Sequence, residues 1–367
     1  MPAYYAVGKS IVKEKDYLEV LGSGAFTRLS AQVRNNPSLT IDIGGQAVSA
    51  REVLRPTDTD GTPFEPIETG KPLTVEIRWV YTGNKPGKAG KDMIITSAFK
   101  SLATFNEAPR AVNLIRRRMR AQSDVKWAAT DKGTPLSFYT PAMIEPTMFA
   151  TFELAFDSFP DEIIDKIGDA IAKTAGIPLF AAQSIYFIAA GSLLKLASKA
   201  GHLLFDGKDV YKFSKEIAFA HPGSVPVRAG WMMLTQETIE DDFLNDLQFG
   251  RGGQLLKSDG KPYDGEFPYV VISLDGREVE AYKQFTPTAA SAVLLDKFFG
   301  VQDGQIGAID SVLDGLKLYS DYQFRLRAEK AQKELKDMKP DDPKYDKKQK
   351  ELEALKANIL TDAMKLQ

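Results

Sequence analysis

Residues 73–81 read LTVEIRWVY, and the period of this stretch sets the fold class. Leu73, Val75, Ile77, Trp79 and Tyr81 alternate with Thr74, Glu76 and Arg78. A period of two over this length predicts a strand with one buried and one wet face, and β-branched and aromatic side chains suit a pleated surface. The same texture recurs on both sides. RLSAQVR (28–34) places Leu29, Ala31 and Val33 on one face, and LTIDI (39–43) does so with Leu39, Ile41 and Ile43. MFATFELAF (148–156), VPVRAGWMMLT (225–235) and YVVISLDGREVEAY (269–282) are further strand candidates. Turn residues punctuate them in NNPSL, DTDGTPFEP and GNKPGKAGKD, the last expected as a hairpin tip. Asp275-Gly276 predicts a tight hairpin between two β-prone runs.

The period changes elsewhere. NEAPRAVNLIRRRMRAQ (106–122) reads as a helix that concentrates Arg110, Arg116, Arg117, Arg118 and Arg120. SFPDEIIDKIGDAIAKTAG (158–176) opens with Ser158 as a cap and lines up Ile163, Ile164, Ile167 and Ile171. From Thr174 to Leu194 no charge occurs for twenty-one positions. That length reaches the bilayer threshold, but Pro178, Gln183, Ser184 and Ser192 interrupt it. A helix buried between folded halves is expected, and aspartate at Ile188 is expected to abolish soluble expression, because its charge would be buried unpaired. The last fifty residues form two charged helices split by PDDP (340–343), since prolines so close cannot sit inside one helix. Leu352, Leu355, Ile359 and Leu366 draw a thin seam on the second, suited to a partner helix. This tail is expected to be separable from about residue 322.

A chain of 367 residues calls for more than one core. The expected fold is α+β with two mainly antiparallel, sandwich-like domains. Residues 1–157 form a β-rich domain with the basic helix, and 158–205 the apolar helical segment. Residues 206–310 form a second β-rich domain, and 311–367 a helical hairpin. The β-rich halves resemble sandwiches of the C2 type, a likeness of texture that carries no functional residues with it.

Familiar chemistry fails residue by residue. LGSGAF (21–26) resembles the start of the kinase Gly-rich loop, but Thr27 replaces the third glycine and no His-Arg-Asp or Asp-Phe-Gly follows. Gly22 and Gly24 are therefore expected to serve a turn between two strands. GNKPGKAGKD misses the P-loop by one residue of spacing and has Ala89 where the magnesium ligand belongs. Its Lys85, Lys88 and Lys91 are candidate anion or partner contacts. Asp58 and Asp60, with Glu65, are the best calcium candidates, although Pro56 breaks the EF-hand pattern. With no cysteine and two histidines, His202 and His221, thiolate chemistry is excluded and zinc is poorly supplied. His221 lacks a nucleophile elbow.

The expected function is a non-enzymatic protein-interaction or scaffold protein with no cofactor. A net charge of -2 argues against general nucleic-acid binding. The alternatives are a membrane-active effector that releases residues 162–199, and a hydrolase using His221 with loop carboxylates. The absence of cysteines and of an N-terminal apolar run favours the cytoplasm.

Overall fold

The computed structural model describes residues 1–22, 24–58, 60–100, 110–126, 132–158, 210–219, 227–280, 282 and 306–366. The expectations for the apolar segment, Ile188, His202, His221 and residues 162–199 concern residues outside these. The described chain is mixed α+β, with four antiparallel sheets and six helices. In chain order the strands are β1 (Ala3–Val7), β2 (Ser10–Lys13), β3 (Thr40–Ile43), β4 (Gln46–Ser49), β5 (Leu73–Tyr81), β6 (Lys91–Lys100), β7 (Arg110–Met119) and β8 (Asp124–Val125). Then follow β9 (Lys132–Gly133), β10 (Leu136–Thr140), β11 (Thr147–Asp157), β12 (Val210–Ala218), β13 (Gly230–Thr235), β14 (Leu247–Phe249), β15 (Leu255–Lys257) and β16 (Tyr269–Asp275). The helices are α1 (Glu14–Leu21), α2 (Ala25–Asn35), α3 (Ala50–Leu54), α4 (Asp241–Asn245), α5 (Ile306–Asp337) and α6 (Tyr345–Ala357).

The larger sheet runs β10-β5-β16-β13-β1-β2, with β8 also on β5, and the second runs β12-β11-β6-β7-β9. Strands before residue 157 and after 206 thus share one sheet, so the expected boundary does not separate two sets of strands. The reason is pairing at long range: β16 sits between β5 and β13. Leu73, Val75, Ile77, Met232, Leu234, Ile272 and Leu274 of the first sheet pack in one cluster with Met93, Ile95, Phe152, Leu154 and Phe213 of the second. The other face of the larger sheet carries Tyr4, Trp79, Tyr81, Trp231 and Val271 under Phe249, Leu255, Tyr263 and Phe267.

Arg78 explains how β5 serves both faces. Ile77 faces Ile272 and Trp79 faces Val271, so Arg78 is an extra residue, a bulge. Leu73, Val75 and Ile77 point to the shared core, while Trp79 and Tyr81 point to the opposite one. The expectation of five side chains on one face is corrected accordingly. Nor is the other face wet: Arg78 pairs with Asp58, and with Glu76 at 3.0 Å.

Further expectations are overturned. RLSAQVR lies in α2, where Phe26, Leu29 and Val33 share a helical face against the core. Gly22 ends α1, and Gly24 precedes α2 at φ 78°, so the glycine turn joins two helices rather than two strands. AVNLIRRRM is strand β7, because Ala111, Val112, Leu114 and Ile115 pair with Ser97, Thr96, Ile95 and Ile94. GNKPGKAGKD links β5 to β6 in different sheets and is no hairpin tip. Asp275-Gly276 does not close a hairpin. Asp275 instead accepts from the Glu65 and Arg277 backbone N–H groups, and the Gly276 N–H donates to Glu65 at 2.9 Å. A Cβ at Gly276 would lie 2.0 Å from the Pro66 oxygen, so this close approach needs glycine.

Helices α5 and α6 run antiparallel. Lys348 bonds Glu334 at 2.7 Å, Ala328 and Ala331 pack with Leu352 and Leu355, and Asp321 accepts from the Leu360 and Thr361 N–H groups. The seam is occupied by its own chain: Leu352, Leu355 and Ile359 are buried, and Leu366 and Ile144 pack against the same cluster. The tail is also tied to the body. Asn358 donates to the Ala142 oxygen at 2.6 Å and accepts from Thr140 at 2.7 Å, and Arg327 pairs with Glu145 at 2.8 Å. Simple separability is therefore not what these contacts describe.

Candidate functional site

Two turns and one bulge bring five of the eight predicted cations, Lys88, Lys91, Arg117, Arg118 and Arg120, to a common end of the second sheet. Lys91 opens β6 opposite Met119 of β7, and Met93 faces Arg116, so Asp92 faces both Arg117 and Arg118. The bulge gives Arg118 a φ of 56°, rare for a residue with a Cβ. Asp92 holds it there: its carboxylate accepts the Arg118 N–H at 3.0 Å and lies 3.5 Å from the Arg117 guanidinium.

The loop between β5 and β6 closes over this turn. The Ala121 N–H donates to the Gly87 oxygen at 3.0 Å, and the Gln122 N–H to the Gly83 oxygen at 2.7 Å. Gly83 has φ 56°, and a Cβ there would meet the Glu266 oxygen at 2.7 Å, so the loop can approach only as glycine. Lys88 follows Gly87 and Arg120 precedes Ala121, the two residues that the first of these hydrogen bonds joins, and Lys88, Arg117, Arg118 and Arg120 are all exposed. Lys91 is half-buried at the same edge.

Two predicted cations turn away. Lys85 donates to the Val210 oxygen at 2.7 Å and lies 4.6 Å from the centre of the Tyr211 ring, which ties the loop to β12. Arg116 reaches the Lys126 oxygen at 2.8 Å. Arg110 pairs with Ala98 at the far end of the ten-residue strand β7. Asp92 and Asp157 face one another across β6 and β11 at this same end, so cations outnumber carboxylates without being alone. The side chains at this end can bind anions as charged donors, and guanidinium groups can do so bidentately.

The acids proposed for calcium are engaged otherwise. Asp58 pairs with Arg78, and Asp60 accepts the Thr62 N–H at 2.8 Å, a hydrogen bond that holds its carboxyl below the usual range. Among the described residues no group of three or more metal-ligating side chains converges. Among them, too, no helix is long and apolar enough to cross a membrane.

The sequence signalled the cations but not their assembly: Asp92, the residue that organises the turn, has no motif around it. No known protein family, curated protein or solved structure matches the chain.

Proposed function

We propose that this chain is a non-enzymatic interaction protein of the cytoplasm, built on a two-layer β-sandwich with a C-terminal helical hairpin, and that its partner is an acidic protein surface. The observation that carries the reading is the basic end: Lys88, Arg117, Arg118 and Arg120 are exposed on adjoining turns that Asp92 and two loop hydrogen bonds hold in place. Such a preorganised cluster steers and orients an acidic partner at little conformational cost. The tail joins the scaffold rather than the docking surface, since its apolar seam is covered from within the chain.

Proteins retained by the immobilised chain, then eluted by rising salt, test this directly. The reading requires a discrete partner that leaves at moderate ionic strength, because the contact is electrostatic. Turnover of a substrate panel without any retained protein would support an enzyme instead. Binding to vesicles of anionic lipid, with leakage, would support the membrane-active alternative.

A further inference from the structure

A second site lies on a different part of the molecule. The turn between β1 and β2, the chain after α3 and the loop after β14 enclose a cavity of about 490 Å³. Its lining includes the aromatic rings of Phe64, Trp231 and Phe249, and two carboxylates, Glu52 and Asp58. The two acids differ in what balances them. Asp58 is paired with Arg78. Glu52 is half-buried, accepts the Thr57 hydroxyl at 3.2 Å, and has no ion pair among the described residues.

An aromatic face can attract a cation, as the Arg78 guanidinium, outside the lining, does at 5.4 Å from the centre of the Trp231 ring. Trp231 is 3% exposed, so its ring forms a fixed wall of the cavity. Lys9 and Arg251 also line the cavity, but both are exposed, where water and salt screen them. Glu52 acts at contact distance in a less polar setting.

We infer that this cavity binds an alkyl chain ending in a cation: the ammonium or guanidinium pairs with Glu52, and the stem packs on Phe64 and Phe249. A lysine or arginine side chain of a peptide and a free alkylamine share this chemistry. The site is independent of the basic end, with which it shares no residue.

Titrating the isotope-labelled full chain and following the Trp231 indole and Gly8 amide signals tests it. The probes are Nα-acetyl-lysinamide, Nα-acetyl-argininamide, n-butylammonium and, as the uncharged counterpart, Nα-acetyl-norleucinamide. The cationic amides are expected to give saturable shifts at least roughly tenfold tighter than norleucinamide, the size of one charged hydrogen bond. Glu52→Gln is expected to remove that preference while the rest of the spectrum stays put. Tighter binding of the amides than of butylammonium assigns the site to peptides, and the reverse to free amines. No saturable shift, or equal affinity for norleucinamide and lysinamide in the unaltered chain, overturns the inference without any variant having to fold.

Discussion

At Arg78 one inserted residue turns the remaining side chains of β5 to the other face of its sheet, and the charge it carries is spent on holding that geometry. Its guanidinium bridges Asp58 and Glu76, and Tyr282 donates to Glu76 at 2.6 Å. Arg78→Met keeps the aliphatic stem but leaves two half-buried carboxylates without their cation. Because the group is partly exposed, the expected loss is about 2 kcal/mol, below that of a fully buried pair. Urea unfolding measures it, and an unchanged midpoint contradicts it. Asp275 works in the opposite sense: burial, opposed by hydrogen bonds from Glu65 and Arg277, raises its carboxyl above the ordinary range. A raised acid favours the protonated fold, so its contribution is present at low pH and is lost as pH rises from the ordinary carboxylate range through the raised value. Asp275→Asn keeps the acceptor oxygen and removes the charge. Its thermal midpoint is expected above that of the unaltered chain at pH 7, with the difference shrinking at about pH 3, below the unperturbed value of about 3.9. A lower midpoint at pH 7 rules this out.

Among the elements, those with a full alternating face were legible. LTVEIRWVY is β5 to the residue, and MFATFELAF lies within β11. What alternation cannot reveal is a competing period. Leu29 and Val33 fit a strand and also the i, i+4 line of α2, and the helix won because Phe26 completes its apolar face. Arginines are good helix formers, yet β7 is a strand because Leu114 and Ile115 pair across to β6. The tail holds two helices, the first beginning at Ile306 and the second ending at Ala357, and its attachment has no local signal: Asn358 is one polar residue in a charged run. It is buried, and its amide bonds Thr140, Ala142 and Ala354. Asn358→Leu removes the shorter acceptor of the Thr140 hydroxyl and a donor to the Ala142 oxygen, leaving only the 3.2 Å bond between those two, at an expected cost of about 1–2 kcal/mol by urea unfolding. If the tail is separable, the same variant leaves the unfolding of the body unchanged.

In the whole molecule, the strand order and the basic end share one cause that the sequence hides. β5 pairs with β16 across most of the chain, and the loop that carries Lys88 is joined to the turn that carries Arg120 by the Gly87–Ala121 and Gly83–Gln122 hydrogen bonds. Composition announced the cations, and spacing suggested a helix; assembly on adjoining turns came from the bulge at Asp92. The basic end, on the function proposed above, docks an acidic protein. The direct measurement compares partner retention by the unaltered chain with that by the triple variant Lys88→Glu, Arg118→Glu, Arg120→Glu, whose residues are exposed and whose fold is checked by its thermal midpoint. The expected result is a partner held by the first, released by salt, and lost from the second by at least roughly a hundredfold in affinity, as charge reversal at a steered contact should give. Equal retention of the same partner by both, with the midpoint unchanged, would contradict it.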